Sequence, residues 1–509
     1  MEDKVIVTHR GALTAKYKTA GFARLRAGLT ALVAKDKTRG IKTLVVYLDD
    51  AVQMKKYAGK PLVNVADCRA AKGAIDAVYK ALSPDYLMIL GSKDVVPHQD
   101  LKNPAFSAGD DDAIAWGDLP YACDAPYDRD PARFVGPTRV IGRLPDLTGA
   151  TEPSHLLALL KTATDWKGRS ASDYTNYFGL SAAVWKGSTA LSLDNIFGNA
   201  TGLMLAPPKG PTFPATKLGA RSHFINCHGA LAQPEFYGQQ GKKFPVSLTT
   251  ATTKGAIAEG SVAAVECCYG GELYDSVTLG LPMPICQSYL QQGTYGYLGS
   301  TTIAYGPADT NGAADWICQF FLLNILEGAS VGRAALMARQ QFIQRCAQMD
   351  AVDLKTLAQF CIYGDPSVHP VVGKPAPKVA GVSASEETER FGRGERRAKM
   401  KQTGEFLLQT KPTASKSQKV GKLTTQTKSA LANLAVKAGM PREQAFVAYA
   451  VKGAPRAAVK SGKLASAPSR YFLTIHNPGK ATNQAGQRVA VVAKELGGRI
   501  IDYCIYHQR

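Results

Sequence analysis

Ser222-His223-Phe224-Ile225-Asn226-Cys227-His228-Gly229 and Ser261-Val262-Ala263-Ala264-Val265-Glu266-Cys267-Cys268-Tyr269-Gly270-Gly271 are the stretches that decide the fold. Each is a short apolar run that ends in chemically capable side chains and then glycine. Buried parallel strands have this near-continuous apolar character. Open α/β sheets bind their ligands outside the carboxyl ends of such strands. Forty positions separate His228 from Cys268. That leaves room for a loop and a crossover segment, at 247–259, between parallel neighbours. The two side chains are therefore expected side by side at one edge of a sheet.

A free thiol is only a few per cent thiolate at neutral pH, and an adjacent imidazole can take its proton. Glycine after His228 lets the chain turn and lets a carbonyl approach closely. The N–H groups of Gly229 and Cys268 would face a developing oxyanion. This describes a Cys–His acyl-transfer site, with Cys268 as nucleophile and His228 as base. Taken singly, a buried cysteine is usually a small core hydrophobe and a lone histidine a satisfied structural residue. Their joint position at strand ends is what points to chemistry. Zinc is the other use of Cys227, His228, Cys267 and Cys268. It fits less well, because adjacent strand residues point to opposite faces and no C-x2-C spacing is present.

Working outward, residues 43–48 read as a strand ending in Asp49-Asp50. Residues 67–82 have helical spacing, with Ala70, Ala74, Ala77, Val78 and Leu82 on one face and Asp67 as N-cap. Tyr86–Leu90 is the next strand. The alternation predicts a parallel sheet with crossover helices. Residues 108–137 are rich in Asp, Gly and Pro. They form either a solvated loop or one that supports calcium or faces substrate, since hard cations take several carboxylate oxygens. A helix is expected over 152–166. Asp165 and Asp173 are the candidates to orient His228, the alternative being plain surface carboxylates. Beyond Cys268 come a helix at 284–292, a strand at 295–300 and a Gly-, Pro-, Asp- and Asn-containing loop at 301–312. A loop there is placed to line a specificity pocket, through Tyr305 and Asp309. Trp316, Phe320, Leu323, Leu336 and Phe342 mark the apolar faces of two following helices.

These residues resemble the gingipain-like cysteine peptidases of the caspase-fold clan. In that family one strand ends in His-Gly and the next in the catalytic cysteine. The Cys267-Cys268 pair is most similar to the lysine-specific gingipain, whose nucleophile is the second cysteine of such a pair. Tyr86 to Pro97 is similar to the family's strand into a Gly-Asp turn and Ile-Pro, with Ser92-Lys93 placed between Gly91 and Asp94 here. Val140-Ile141-Gly142-Arg143-Leu144-Pro145, Gly296-Tyr297-Leu298-Gly299-Ser300-Thr301 and Tyr363-Gly364-Asp365-Pro366-Ser367 match further family motifs in order. The resemblance spans about residues 40–370. It implies a caspase-like, mostly parallel sheet flanked by helices in two subdomains, and an endopeptidase working on protein or peptide substrates. It also implies Cys268 as nucleophile, Cys267 as its inert neighbour, and Asp309 as the pocket aspartate favouring Lys or Arg at P1. The other reading of Asp309 is an N-cap for the helix at 312–327. No cofactor is required for this chemistry, and calcium is considered only in a structural role. A signal peptide, a propeptide and the family's immunoglobulin-like module have no counterpart.

The chain has 509 residues, 45% apolar and 20% charged, with ten cysteines. That is a globular composition, too sparse in cysteine for a disulfide scaffold. No apolar run approaches the ~18 residues that would span a membrane. A cytoplasmic location is the expectation. The net charge of +20 is uneven. Residues 371–509 hold 25 Lys and Arg against 8 Asp and Glu, a net of +17, which leaves +3 for the rest. The division expected is 1–150 and 151–370 for the two subdomains, 371–420 for a basic flexible linker, and 421–509 for a small α+β module, with helices expected at 423–437 and 444–452 and strands at 471–475 and 488–492. Within the linker, Arg393, Arg396, Arg397, Lys399 and Lys401 are expected as self-processing sites. The alternative function is a catalytically silent scaffold whose basic module binds a polyanion or a protein partner. Nucleic acid is disfavoured as a partner because no recognition motif accompanies the basic residues.

Overall fold

Ten short runs, most of them apolar, pair into one sheet in the computed structural model, which describes residues 2–373, 393–418, 420, 423–452, 470–477 and 488–509. In chain order they are β1 (Lys4–Thr8), β2 (Thr43–Tyr47), β3 (Tyr86–Leu90), β4 (Ile141–Leu144), β5 (Tyr177–Ala182), β6 (Leu203–Ala206), β7 (Ser222–Asn226), β8 (Val262–Val265), β9 (Gly296–Ser300) and β10 (Phe360–Tyr363). The sheet order is β2-β1-β3-β4-β10-β9-β8-β7-β5-β6. Every neighbouring pair is parallel except β9 with β10. Two parallel halves thus meet at one antiparallel seam. This is the expected mostly parallel sheet flanked by helices, in two halves, with a further antiparallel module.

Side-chain alternation divides the sheet between two cores. On β8, Val262 and Ala264 pack in the layer that also holds Ile317, Phe321 and Leu336. Ala263 and Val265 pack in the opposite layer with Leu25, Leu29, Leu156 and Tyr289. Helices Cys68–Leu82 and Ser154–Asp165 lie near where periodicity places them. Asp67 caps the first by accepting from the Ala70 N–H at 2.9 Å. The halves are also tied ionically. Lys4 Nζ, fully buried on β1, reaches Asp36 at 3.0 Å and Asp365 of the Gly-Asp-Pro-Ser turn after β10. A buried cation needs such partners, since stripping it of water alone costs several kcal/mol.

The basic region differs from expectation in two ways. Residues 374–392 lie outside the described residues, but Arg393–Thr410 is a helix, not a flexible linker. Met400 and Leu407 of this helix are buried, and the Met400 carbonyl accepts from Gln340 Nε2 at 2.8 Å. A peptidase reads an extended backbone, so a docked helix is a poor place for self-processing. Second, the expected helix at 444–452 is a strand. Phe446, Val447, Tyr449 and Val451 are β-branched or aromatic, which suits a pleated surface better than a helix. The module's strands are β11 (Thr413–Gln418), β12 (Val447–Lys452), β13 (Arg470–His476), β14 (Val489–Leu496) and β15 (Arg499–Gln508), joined by helix Thr425–Lys437. They form an antiparallel sheet in which β15 also pairs with the short strand Tyr305–Gly306 of the body. Among the described residues no helix is long and apolar enough to cross a membrane.

His155 supplies a test of core electrostatics. It is buried in helix Ser154–Asp165, and among the described residues neither ring nitrogen has a hydrogen-bond partner. Burial pushes its pKa from 6.5 down to about 4. The unfolded chain therefore binds a proton below about pH 6.5 that the folded chain refuses. Stability from this neutral histidine is complete above pH 6.5 and is lost as pH falls toward 4, by up to about 3 kcal/mol. His155→Leu should flatten this acid limb, raising the unfolding free energy at pH 4.5 relative to wild type while changing it little at pH 7.5. Equal pH profiles in denaturant titrations would contradict the assignment.

Candidate active site

Strands β7 and β8 run parallel in a register of Ser222 with Val262 through Ile225 with Val265. The pairing continues past the strand ends. The Glu266 N–H donates to the Ile225 carbonyl at 2.9 Å and the Cys227 N–H to Cys267 Sγ at 3.4 Å. Alternation then sends Cys267 and Cys227 into one core layer and Cys268 into the other. The zinc reading fails here, because its thiols are divided between the two faces of the sheet. Gly229 lies against the Cys268 carbonyl so closely that a Cβ on it would fall far inside van der Waals contact. His228 and Cys268 thus emerge on adjoining strand ends, and glycine at 229 is what allows the approach.

His228 and Gly229 form a short antiparallel ladder with Glu235–Tyr237. The His228 ring packs against Trp185 and Phe244, with centroids 4.3 and 5.0 Å away. Its Nε2 bonds Gln239 Oε1 at 2.8 Å, which makes Nε2 the protonated nitrogen and leaves Nδ1 as the unprotonated one. The orienting group is therefore a neutral amide, not a carboxylate. Asp165 pairs with Lys161 within its own helix, and Asp173 accepts from Ser170 Oγ at 2.8 Å. Burial, with Arg509 and His507 nearby, holds the His228 pKa down at about 3. Cys268 is buried too, and burial pushes its thiol up to about 12. Its Sγ accepts from the Ala304 N–H at 3.2 Å. The imidazole of His228 and the thiol of Cys268 are both uncharged near neutral pH. Tyr269, directly after Cys268, has φ of +54°, a left-handed turn unusual for a tyrosine. Its hydroxyl is held by Asp112 at 2.8 Å.

Arg509, one residue past β15, lies along this site. Its N–H donates to the Ala304 carbonyl at 3.0 Å, and its own carbonyl oxygen accepts from the Cys268 N–H at 3.3 Å. The oxyanion donor expected at Cys268 thus already holds a carbonyl; Gly229 supplies the wall beside it. The Arg509 guanidinium is fully buried. Its Nη2 donates to the Pro307 carbonyl at 2.6 Å and to Asp315 at 3.1 and 3.3 Å, and the group lies over the Trp185 ring at 4.5 Å. Gly306 forms the cradle: a Cβ there would collide with the guanidinium.

Asp309, the expected pocket residue, is exposed at the lip beside Gly187. In water its charge is screened, whereas Asp315 is buried in the first turn of helix Ala314–Leu326. Glu266 joins it. Two positions before Cys268 on an extended chain, Glu266 shares that residue's face, and the carboxyl group beside it is that of Asp315. Burial raises the proton affinity of both, and Asp315's charge adds to burial in holding Glu266 well above the carboxylate range. Arg509 opposes the shift at Asp315. Sequence reasoning missed Asp315, Gln239 and Arg509. Only Glu266 carried a legible signal, its alternation with Cys268.

The acidic loop at 110–112 is not simply solvated. Lys355, fully buried, reaches Asp110 at 2.6 Å and Asp112 at 2.9 Å. Asp110 also accepts from the Tyr305 hydroxyl at 2.9 Å, and Asp112 from the Ile303 N–H at 2.8 Å. These carboxylates, considered above for calcium, thereby shape the 302–306 segment that faces Arg509. Replacing Lys355 by Met would leave two buried carboxylates without their cation, a loss of about 3–5 kcal/mol. Asp110→Asn in the same chain should recover part of it, measured by denaturant unfolding. No loss in the single variant would refute this role for Lys355.

No protein-family model matches this chain, and no curated relative does. Among solved structures it is similar to one described as "Structure of Protease", with 15% identity, 99% of this chain and 97% of that chain covered, and a TM-score of 0.47. It is similar to the complex of the Porphyromonas gingivalis RgpB pro- and mature domains, with 11% identity, 99% of each chain covered and a TM-score of 0.47. A weaker likeness is to the Saccharomyces cerevisiae separase–securin complex, with 14% identity, 45% of this chain and 14% of that chain covered, and a TM-score of 0.28. At such scores the functional reading rests on the residues of the site itself.

Proposed function

We propose that this chain is a cysteine endopeptidase that uses Cys268 and His228 and cleaves after a basic residue, arginine above all. One observation carries the reading. A residue whose carbonyl oxygen sits on the Cys268 N–H has its guanidinium seated on Asp315. That is the geometry of a P1 arginine. Lysine fits the charge, and the contacts to Asp315 and the Pro307 carbonyl, all made by Nη2, ask only for one cationic nitrogen; what lysine lacks is the planar group that lies over the Trp185 ring.

In the forward reaction His228 Nδ1 takes the thiol proton as Cys268 Sγ attacks the P1 carbonyl carbon. The carbonyl oxygen becomes the oxyanion, stabilised by the Cys268 N–H. The imidazolium returns the proton to the leaving amine as the C–N bond breaks, leaving a thioester. His228 then deprotonates a water that attacks the thioester, and the thiol departs with the proton. Gln239 keeps Nε2–H occupied throughout, so Nδ1 stays the working nitrogen. A pocket of about 550 Å³ lies beside this point, lined in part by Leu231, Tyr269 and Glu272. It is bounded by residues just past His228-Gly229 and Cys268, which suits the leaving-group side of a substrate.

The test is cleavage of peptides with Arg, Lys, Asn, Asp or Leu at P1, run on the whole chain and on an Arg509→Ala chain whose pocket is empty. Cys268→Ala should abolish turnover. Asp315→Asn should lower kcat/KM for Arg by about 100-fold, the equivalent of roughly 3 kcal/mol for a buried charge pair. Asp309→Asn should change it less than threefold. Preference for an uncharged P1, or indifference to Asp315→Asn, would sink the pocket assignment.

A further inference from the structure

The short strand Tyr305–Gly306 pairs antiparallel with His507 and Gln508 of β15, Tyr305 opposite Gln508 and Gly306 opposite His507. Ladder bonds of this kind are how an extended peptide adds to a sheet edge, the backbone giving affinity and alternate side chains giving specificity. The ladder continues through the Arg509 N–H to the Ala304 carbonyl and ends with the Arg509 carbonyl on the Cys268 N–H. One segment of this chain therefore lies along Ala304–Gly306 up to Cys268 in the orientation of a substrate's acyl side. The burial is complete at both ends: Cys268 and Arg509 each expose 0% of their surface.

We propose that Tyr506–Arg509 is a pseudosubstrate held in cis, which keeps Cys268 masked until the module carrying β15 is displaced. The proposal rests on the peptidase reading above and adds its regulation. Three independent features support it. Asp315 is a fully buried carboxyl group that would lose its ionic partner if the pocket emptied, and Arg509 is the cation that fills it. Gly306 leaves the space its guanidinium takes. And β15 belongs to a sheet packed on the body: Tyr449 of that sheet donates to the Pro104 carbonyl at 2.9 Å and its Tyr471, Leu473 and Val492 share the catalytic core layer. The occupant thus comes tethered and positioned. A short tether gives an effective concentration in the millimolar range, so a peptide substrate at micromolar concentration competes poorly. The uncharged dyad of this state agrees with a resting enzyme. The charge of the module's basic residues offers a handle for displacement by an acidic partner, and the mask is what such a partner would lift.

The experiment tracks Cys268 by two readouts, alkylation with iodoacetamide mapped to the residue and cleavage of an Arg-P1 peptide. The proteins are the 1–509 chain, Arg509→Ala, Arg509→Lys and Gly306→Ala. Arg509→Ala should raise alkylation of Cys268 and peptide cleavage on the order of 100-fold. Arg509→Lys should stay within about tenfold of wild type, because the charge is kept. A synthetic peptide of residues 499–509 added to Arg509→Ala should suppress both readouts again, and the same peptide with Ala in the last position should not. Wild-type alkylation rates in a folded Arg509→Ala chain would overturn the proposal. If that variant fails to fold, Gly306→Ala, which expels the guanidinium from the other side, decides: fast labelling supports the mask and wild-type labelling overturns it. Fast labelling without cleavage of any peptide would keep the mask and refute the peptidase reading.

Discussion

The parallel register of β7 with β8 is the constraint on which the site depends. It brings two chain segments separated by forty residues to one line, so that the residues leaving the two strands must share the same small space. Only glycine fits at 229, because the Cys268 carbonyl stands where a Cβ would be. The same register divides successive side chains between the two core layers. Glu266 and Cys268 fall on the face where helix Ala314–Leu326 packs, and Cys267 on the other. A slip of one residue would exchange these faces and bury the thiol in the opposite layer.

Charge burial then organises the surroundings of that line. Asp315 with Arg509, Asp110 and Asp112 with Lys355, and Lys4 with Asp36 and Asp365 are all nearly or fully withdrawn from water. Such pairs add little net stability over apolar packing, but removing one member costs several kcal/mol. They act as fixed points. Lys355 ties the acidic loop to the strand edge at Tyr305, Lys4 ties one half-sheet to the turn beyond β10, and Arg509 ties the last strand of the module to Cys268. The first two are internal scaffolding. The third differs in kind, since its cation comes from a separate module and its carbonyl is held by the Cys268 N–H.

Much of this was legible in the sequence, and the failures have physical causes. Strand-then-glycine patterns at His228-Gly229 and Cys268 were readable because a buried strand end carries few residue types that are not apolar. The N-cap at Asp67 was readable because capping is local. Asp309 was singled out because it falls about where the family that the chain resembles keeps its pocket aspartate, and Asp315 drew no attention because a carboxylate in the first turn of an apolar helix looks like a dipole partner. Burial distinguishes them, and burial is not a local property. The carboxylates at 165 and 173 were considered for His228 because carboxylates commonly orient histidines; nothing in the stretch around Gln239 announces an amide doing so. The helix at Arg393–Thr410 read as linker because its charges hide the two buried positions, Met400 and Leu407.

By itself the sequence determined the α/β class, the two strand ends that carry Cys268 and His228, and the concentration of positive charge in residues 371–509. These come from periodicity, from short-range turn chemistry and from composition, all of which act within a few residues. Tertiary structure alone decided the rest. It buried Asp315 against Arg509 and left Asp309 exposed, and it set Gln239 rather than a carboxylate on His228. It also brought Arg509 back across 241 positions onto Cys268. Each of those outcomes is set by which groups lose their water together, and desolvation is a property of the packed chain that no stretch of residues carries alone.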